Sequence, residues 1–100
     1  MTNIYSILQS TGLDCVYSHF DEHHDLPYIA YIGAGQDTAA ADDTYYWKEN
    51  SYQIEYYFKD KNEANEEAIE QVLTDAGFLY DKSEDIYIED QGVFVIYYTI

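Results

Sequence analysis

Tyr52-Gln53-Ile54-Glu55-Tyr56-Tyr57-Phe58, followed by Lys59-Asp60-Lys61 and an acidic segment that ends at Gly77, is the stretch that decides the fold. Its first seven residues alternate. Tyr52, Ile54, Tyr56 and Phe58 fall on one face and Gln53, Glu55 and Tyr57 on the other, as a half-buried strand requires. Past Lys61 the apolar period lengthens. Ala64, Ala68, Ile69, Val72, Leu73 and Ala76 recur at helical spacing, which predicts a helix over 60–76 that covers the apolar face of the strand. Asp60 and Glu63 stand in capping-box spacing, the acidic first turn suits the positive end of the helix dipole, and Gly77 supplies a left-handed C-cap.

Outward from this unit the chain reads as short elements. Thr2 can cap a first helix with Ile4, Ile7 and Leu8 on one side, and Gly12 is placed to stop it. An extended run from Leu13 to Phe20 follows, then the polar turn 21–25, and Pro27 opens a second extended segment, Tyr28 to Ile32. Segment 33–43 is rich in Gly, Ala and Asp and has no periodicity. It reads as a long hairpin loop, mobile and available for docking, before strand character returns at Thr44 to Trp47. After the helix come Phe78-Leu79-Tyr80, a polar turn at 81–85, Ile86-Tyr87-Ile88 and, past Gly92, the run Val93 to Ile100. That last run is apolar on both faces, which places it in the interior of the sheet or at a subunit seam. The order predicts a single compact domain over residues 1–100, an α+β fold with an antiparallel sheet flanked by two helices.

One hundred residues suffice for one core and not for two. Twenty acidic residues against four basic ones give a formal net charge of −16, yet the chain is 47% hydrophobic and includes 13 tyrosines, so the acidity does not signal disorder. Tyrosine packs its ring while keeping its hydroxyl wet, which suits strands that meet other proteins. Four lysines and no arginine argue against direct nucleic-acid binding, because phosphate contacts depend on basic side chains. A single cysteine, with no signal-peptide or membrane-spanning pattern, fits a reducing cytoplasm and no membrane association.

Few residues carry chemistry. His19, His23 and His24 beside Asp21, Glu22 and Asp25 form the only cluster with metal-ligand types, but the surrounding residues read as strand end and loop, where the spacing fixes no geometry. His19 is read as semi-buried beside Phe20 and the His23-His24 pair as solvated on a loop, and no metal or cofactor is expected. Cys15 has no basic neighbour to lower its pKa and reads as a packed hydrophobe. Gly33-x-Gly35 is only the start of a dinucleotide fingerprint and leads to aspartate where phosphate would approach. The acid pairs Glu66-Glu67 and Asp42-Asp43 read as solvated faces, so no catalytic residue and no enzymatic activity are expected. Tyr52 and Tyr56 belong to the core stripe, whereas Tyr45, Tyr46 and Tyr57 fall outside it.

Several segments in order carry a family resemblance: Ile7-Leu8-x-x-Thr11-Gly12; Val16-Tyr17-x-His19-Phe20; Pro27-Tyr28-Ile29-x-Tyr31; the Gly/Asp loop closing on Ala41-Asp42-Asp43-x-Tyr45; Asn50-x-Tyr52-Gln53-Ile54-Glu55-Tyr56-Tyr57; Lys59-Asp60; Gly77-Phe78; and Ile96-Tyr97-Tyr98. In this order and spacing the chain resembles the tail-completion or tail-terminator proteins of long non-contractile-tailed phages and prophages of Gram-positive bacteria. The resemblance implies a non-enzymatic structural virion protein that terminates the tail tube and joins it to the head. It also implies a ring, typically a hexamer, between the head-closure connector and the major tail tube protein, located at the head–tail interface of the virion after assembly in the host cytoplasm. The acidity is stronger than the family leads one to expect. Gly33, Gly35, Asp37, Asp42, Asp43, Tyr45, Tyr46 and Tyr57 are the candidate interaction residues. Charge alone suggests an alternative, an acidic DNA-mimic inhibitor of a host nucleic-acid-binding protein. Such a decoy asks for carboxylates along one elongated surface, whereas these are spread through loops and are densest at 60–70.

Overall fold

The computed structural model describes residues 4–18, 25–38 and 48–100, with backbone alone at 34–38 and 48–50. In chain order these form α1 (Ile4–Gln9), β1 (Asp14–Tyr17), β2 (Tyr28–Thr38), β3 (Lys48–Phe58), α2 (Glu63–Asp75), β4 (Asp81–Lys82), β5 (Ile86–Ile88) and β6 (Val93–Thr99). The six strands make one sheet in the order β1-β2-β3-β6-β4, with β5 continuing the β4 edge by pairing with β6. The fold is α+β, as the element order predicts. The sheet is mixed rather than antiparallel, because β1 runs parallel to β2 while all other pairings are antiparallel. Parallel neighbours need a return connection longer than a tight turn, and the chain between Tyr17 and Tyr28 is long enough to supply it.

β3 organises the layers. It pairs with β2 on one side and β6 on the other, so its alternation is imposed on both neighbours. Ile54 stands opposite Tyr98, Tyr56 opposite Ile96 and Phe58 opposite Phe94, on the face that both helices cover. Ile4 and Leu8 of α1 join Ile69 and Leu73 of α2 in one cluster with Ile29, Ile54, Tyr56, Phe58, Ile96 and Tyr98. Tyr56 and Phe94 both stack on Phe58, with centroids 5.1 and 5.5 Å away. The alternating positions of β3 therefore supply the floor of the core and the helices its roof. β6 is interior, as its two apolar faces require.

At the ends of α2 one boundary reading changes and the other holds. The N-cap of α2 is Asn62, whose side chain accepts from the Asn65 backbone N–H, so Asp60 precedes the helix and does not cap it. At the other end Gly77 has φ +88°, its N–H bonds to Thr74 O and that of Phe78 to Leu73 O. That is a Schellman closure, and it places Phe78 against the core it caps.

Segment 33–38 is strand, not loop. Gly35 to Thr38 pair with Ser51 to Lys48, and the register slips between Gly33 and Gly35, leaving Ala34 as the extra residue of a bulge. Small and polar residues have weak strand preference, and the pairing partner at 48–52 supplies what local composition lacks. Past Ser51 the two strands pair only with each other among the described residues, making a two-stranded arm beyond the body of the sheet. The remainder of the predicted loop, 39–43, lies outside the described residues.

Ile69 is fully buried at the centre of the helix–sheet contact. Ile69→Ala should cost on the order of 2–5 kcal/mol by guanidinium denaturation. Glu67→Ala, on the exposed side of the same helix, should change stability by less than about 0.5 kcal/mol.

Candidate functional site

Because both helices lie on one side, the other face of the sheet has no helical cover among the described residues. Register places Tyr28, Ala30 and Ile32 of β2 beside Tyr57, Glu55 and Gln53 of β3, which in turn stand beside Val95, Tyr97 and Thr99 of β6. The result is a three-by-three grid of side chains, aromatic and aliphatic at most positions, with the carboxylate of Glu55 at its centre. Tyr28 and Tyr57 stack with centroids 5.0 Å apart. The Tyr57 hydroxyl donates to Glu55 Oε1 at 2.6 Å and Gln53 Nε2 donates to Oε2 at 3.2 Å. Both oxygens are thus oriented by neighbours on the same strand. Burial, then the hydrogen bond to Glu55, pushes the Tyr57 phenol well above its ordinary value, so it remains a donor at neutral pH.

On the helix side the acidic residues behave differently. The expectation that Glu66-Glu67 forms a solvated pair holds for Glu67 only; Glu66 is 3% exposed. Its Oε1 accepts from Lys82 Nζ at 3.0 Å, and Lys61 Nζ lies 2.7 Å from Oε2, an ion pair without hydrogen-bond alignment. Lys82 also meets Glu70 at 2.8 Å and Lys61 meets Asp85 at 3.0 Å. Tyr98 donates to Glu70 Oε2 at 2.8 Å and Tyr80 to Oε1 at 3.3 Å. Burial pushes the Glu70 carboxyl up, but the hydrogen bonds from Lys82, Tyr98 and Tyr80 together hold it below the usual carboxylate value. The neighbouring Glu66 carboxylate raises Lys61; burial pulls Lys82 down, and hydrogen bonds to Glu70 and Glu66 more than offset it. Glu66 lies three residues before Ile69 and seven before Leu73, on the buried stripe of α2. Helical spacing alone could have flagged it.

Of the candidate interaction residues, Tyr57 belongs to the helix-free face, whereas Gly33 lies at the bulge and Gly35 and Asp37 lie in the paired arm, Asp37 opposite Glu49. Asp42, Asp43, Tyr45 and Tyr46 lie outside the described residues, as do His19, His23 and His24. The structure therefore joins Tyr57 to Tyr28, Glu55 and Tyr97, which the sequence reading had not grouped as a site. Cys15 is half-buried in β1, where burial pushes its thiol up to about 11. A cleft of about 260 Å³ opens between Leu26-Pro27 and the β3–α2 junction, with Tyr56, Phe58 and Asn65 in its wall. Lys59, Asp60, Lys61 and Asn62 complete its lining. Among the described residues no cluster of three or more His, Cys, Asp or Glu could hold a metal ion, and no helix is long and apolar enough to cross a membrane.

Fold and surface define a two-layer α+β protein with helices on one side of the sheet and an aromatic, carboxylate-centred face on the other. Comparison with protein-family models and with curated proteins finds no match to this chain.

The charge network predicts loss of stability at both ends of the pH scale. Glu70 is depressed in the fold, so its contribution is complete above its ordinary value near 4.5 and is lost as pH falls through the lower folded value. Lys61, Lys82, Tyr57 and Tyr98 are raised, so their contributions are complete below about pH 10 and are lost as pH climbs toward the folded values. Denaturation midpoints across a pH series should trace both flanks. Lys82→Met should cost about 1–2 kcal/mol at neutral pH, less than a fully buried pair because Lys82 is partly exposed and Glu66 keeps Lys61. The variant should also show a shallower acid flank.

Proposed function

We propose that this chain is a structural virion protein of the tail-completion class, which forms a ring that terminates the tail tube and joins it to the head connector. The collinear resemblance described above is one support. The observation that carries the reading is the character of the two sheet edges. β1 at one edge and β5 at the other each present a largely exposed tyrosine, Tyr17 at 57% and Tyr87 at 53%. Opposite edges with different sequences suit heterologous, head-to-tail contacts, and such contacts close into a ring when the rotation per subunit divides a full turn. A ring built edge to edge leaves the helix-free face available to a different protein. The two-stranded arm offers further backbone edges for strand addition. A hexamer bounded by the connector on one side and the major tail tube protein on the other is the arrangement proposed.

The charge supports a lumen through which DNA passes. Like charges repel at short range even with a screening length of about 8 Å, so carboxylates facing a channel keep the duplex from sticking. Free subunits at −16 repel one another for the same reason, which delays assembly until a partner ring supplies a template.

Sedimentation should therefore show self-association increasing as salt rises from about 50 mM to about 500 mM, with DNA binding undetectable throughout. Negative-stain imaging with the tail tube protein should show rings capping tubes. Tyr17→Asp and Tyr87→Asp should each abolish assembly and leave the folded subunit intact. A chain that stays monomeric at every salt concentration and leaves tubes uncapped overturns the reading. A complex with a basic host protein that weakens steeply with salt would favour the DNA-mimic alternative.

A further inference from the structure

We infer that the helix-free face around Glu55 is a docking surface for an arginine-bearing patch of a different protein, with the guanidinium seated on Glu55 between Tyr28, Tyr57 and Tyr97. The inference goes beyond the ring reading and stands without it. Glu55 is a half-buried carboxylate at the centre of a predominantly apolar grid. Its oxygens are held by Tyr57 and Gln53, both neutral donors, and none of the described ion pairs reaches it. A carboxylate in such surroundings keeps most of its charge available to an incoming cation. The flanking tyrosines add ring faces on which a guanidinium can stack.

Charge complementarity selects the occupant. A second copy of this chain brings a net charge of −16, no arginine and four lysines. Two of those lysines, Lys61 and Lys82, are committed to Glu66, Glu70 and Asp85. Stacking two copies through this face would bring two chains of net charge −16 together with one Glu55 near another across an apolar contact. A basic partner reverses the sign of every such term. Ala30 and Val95 are already buried beneath this face, and Ile32, 39% exposed, with the half-buried rings of Tyr28, Tyr57 and Tyr97, supplies the apolar ground that a surface carrying aliphatic residues around its arginine would cover. Such an interface has a desolvated ion pair at its centre and aromatic anchors around it, the arrangement in which a few residues dominate binding.

The test is an NMR titration of the ¹⁵N-labelled full chain with an acetylated, amidated Leu-Arg-Leu-Arg-Leu peptide, and with the same peptide carrying citrulline in place of arginine. Citrulline keeps shape and hydrogen-bond donors and removes the charge. The arginine peptide should give saturable shifts centred on the amides of Ala30, Gln53, Glu55, Tyr57 and Tyr97. Affinity should fall about tenfold with citrulline, and by a similar factor in Glu55→Gln, as expected when a desolvated cation loses its carboxylate. The citrulline arm needs no variant, so the proposal remains testable if Glu55→Gln folds poorly. Shifts spread over the exposed acids of α2, equal binding of both peptides, or unchanged affinity in a folded Glu55→Gln overturns it. Shifts of the same amides that depend on protein concentration alone assign the face to a second copy and also overturn it. Ring assembly is read separately by sedimentation. Assembly without arginine binding sinks only this inference, and arginine binding without assembly sinks only the ring.

Discussion

Under α2, the carboxylate of Glu66 is removed from water and held between Lys61 and Lys82. Burying a carboxylate costs several kcal/mol unless cations and hydrogen bonds replace its hydration, so the position of this one group constrains much that surrounds it. Lys61 belongs to the junction between β3 and α2, and Lys82 to the β4 edge of the sheet. One buried charge therefore joins the strand–helix turn to the far edge strand. Glu70 and Asp85 enter through the same two lysines, and Tyr80 and Tyr98 through Glu70. β4 and β5 are only two and three residues long, and Lys82 ties that short edge directly to the helix layer.

This internal use of cations shapes the outer surface. The chain has four lysines, and the network around Glu66 takes two, so few cations are left to answer the other acidic residues. Glu55 is the clearest case. It sits among aromatic side chains and is oriented by neutral donors, a choice that leaves its charge to be answered from outside. The proposed roles follow from the same imbalance. Repulsion between copies holds assembly back, and an unanswered carboxylate on an apolar face favours a basic protein over a second copy.

Tyrosine accounts for the coexistence of so much acid with so much packing. On the helix side Tyr56 and Tyr98 are fully buried and keep their hydroxyls on Asn65 and Glu70. On the other side Tyr57 is half-buried and keeps its hydroxyl on Glu55. The same residue type thus serves both faces of adjacent positions in β3, with period two deciding which. At the edges Tyr17 and Tyr87 remain largely exposed, and that difference in burial, not composition, separates the core tyrosines from the edge tyrosines.

The sequence by itself determined the α+β class, the alternation of β3, the helix that ends at Gly77, the interior place of β6 and the assignment of Tyr56 to the core. Each is a local pattern, since strand period, helix period and a left-handed glycine are properties of neighbouring residues. Tertiary structure decided the parallel pairing of β1 with β2, the extension of β2 to Thr38, the cap at Asn62, the burial of Glu66 and the grouping of Tyr28, Glu55, Tyr57 and Tyr97. These depend on partners far apart in the chain. Gly35 to Thr38 have little strand preference of their own and become strand because 48–51 lies alongside them. Glu66 shares the helical stripe of Ile69 and Leu73, but the cation that compensates it, Lys82, comes from sixteen residues away. A face of the sheet, likewise, exists only once three strands have taken a register, and no local window of sequence spans that distance.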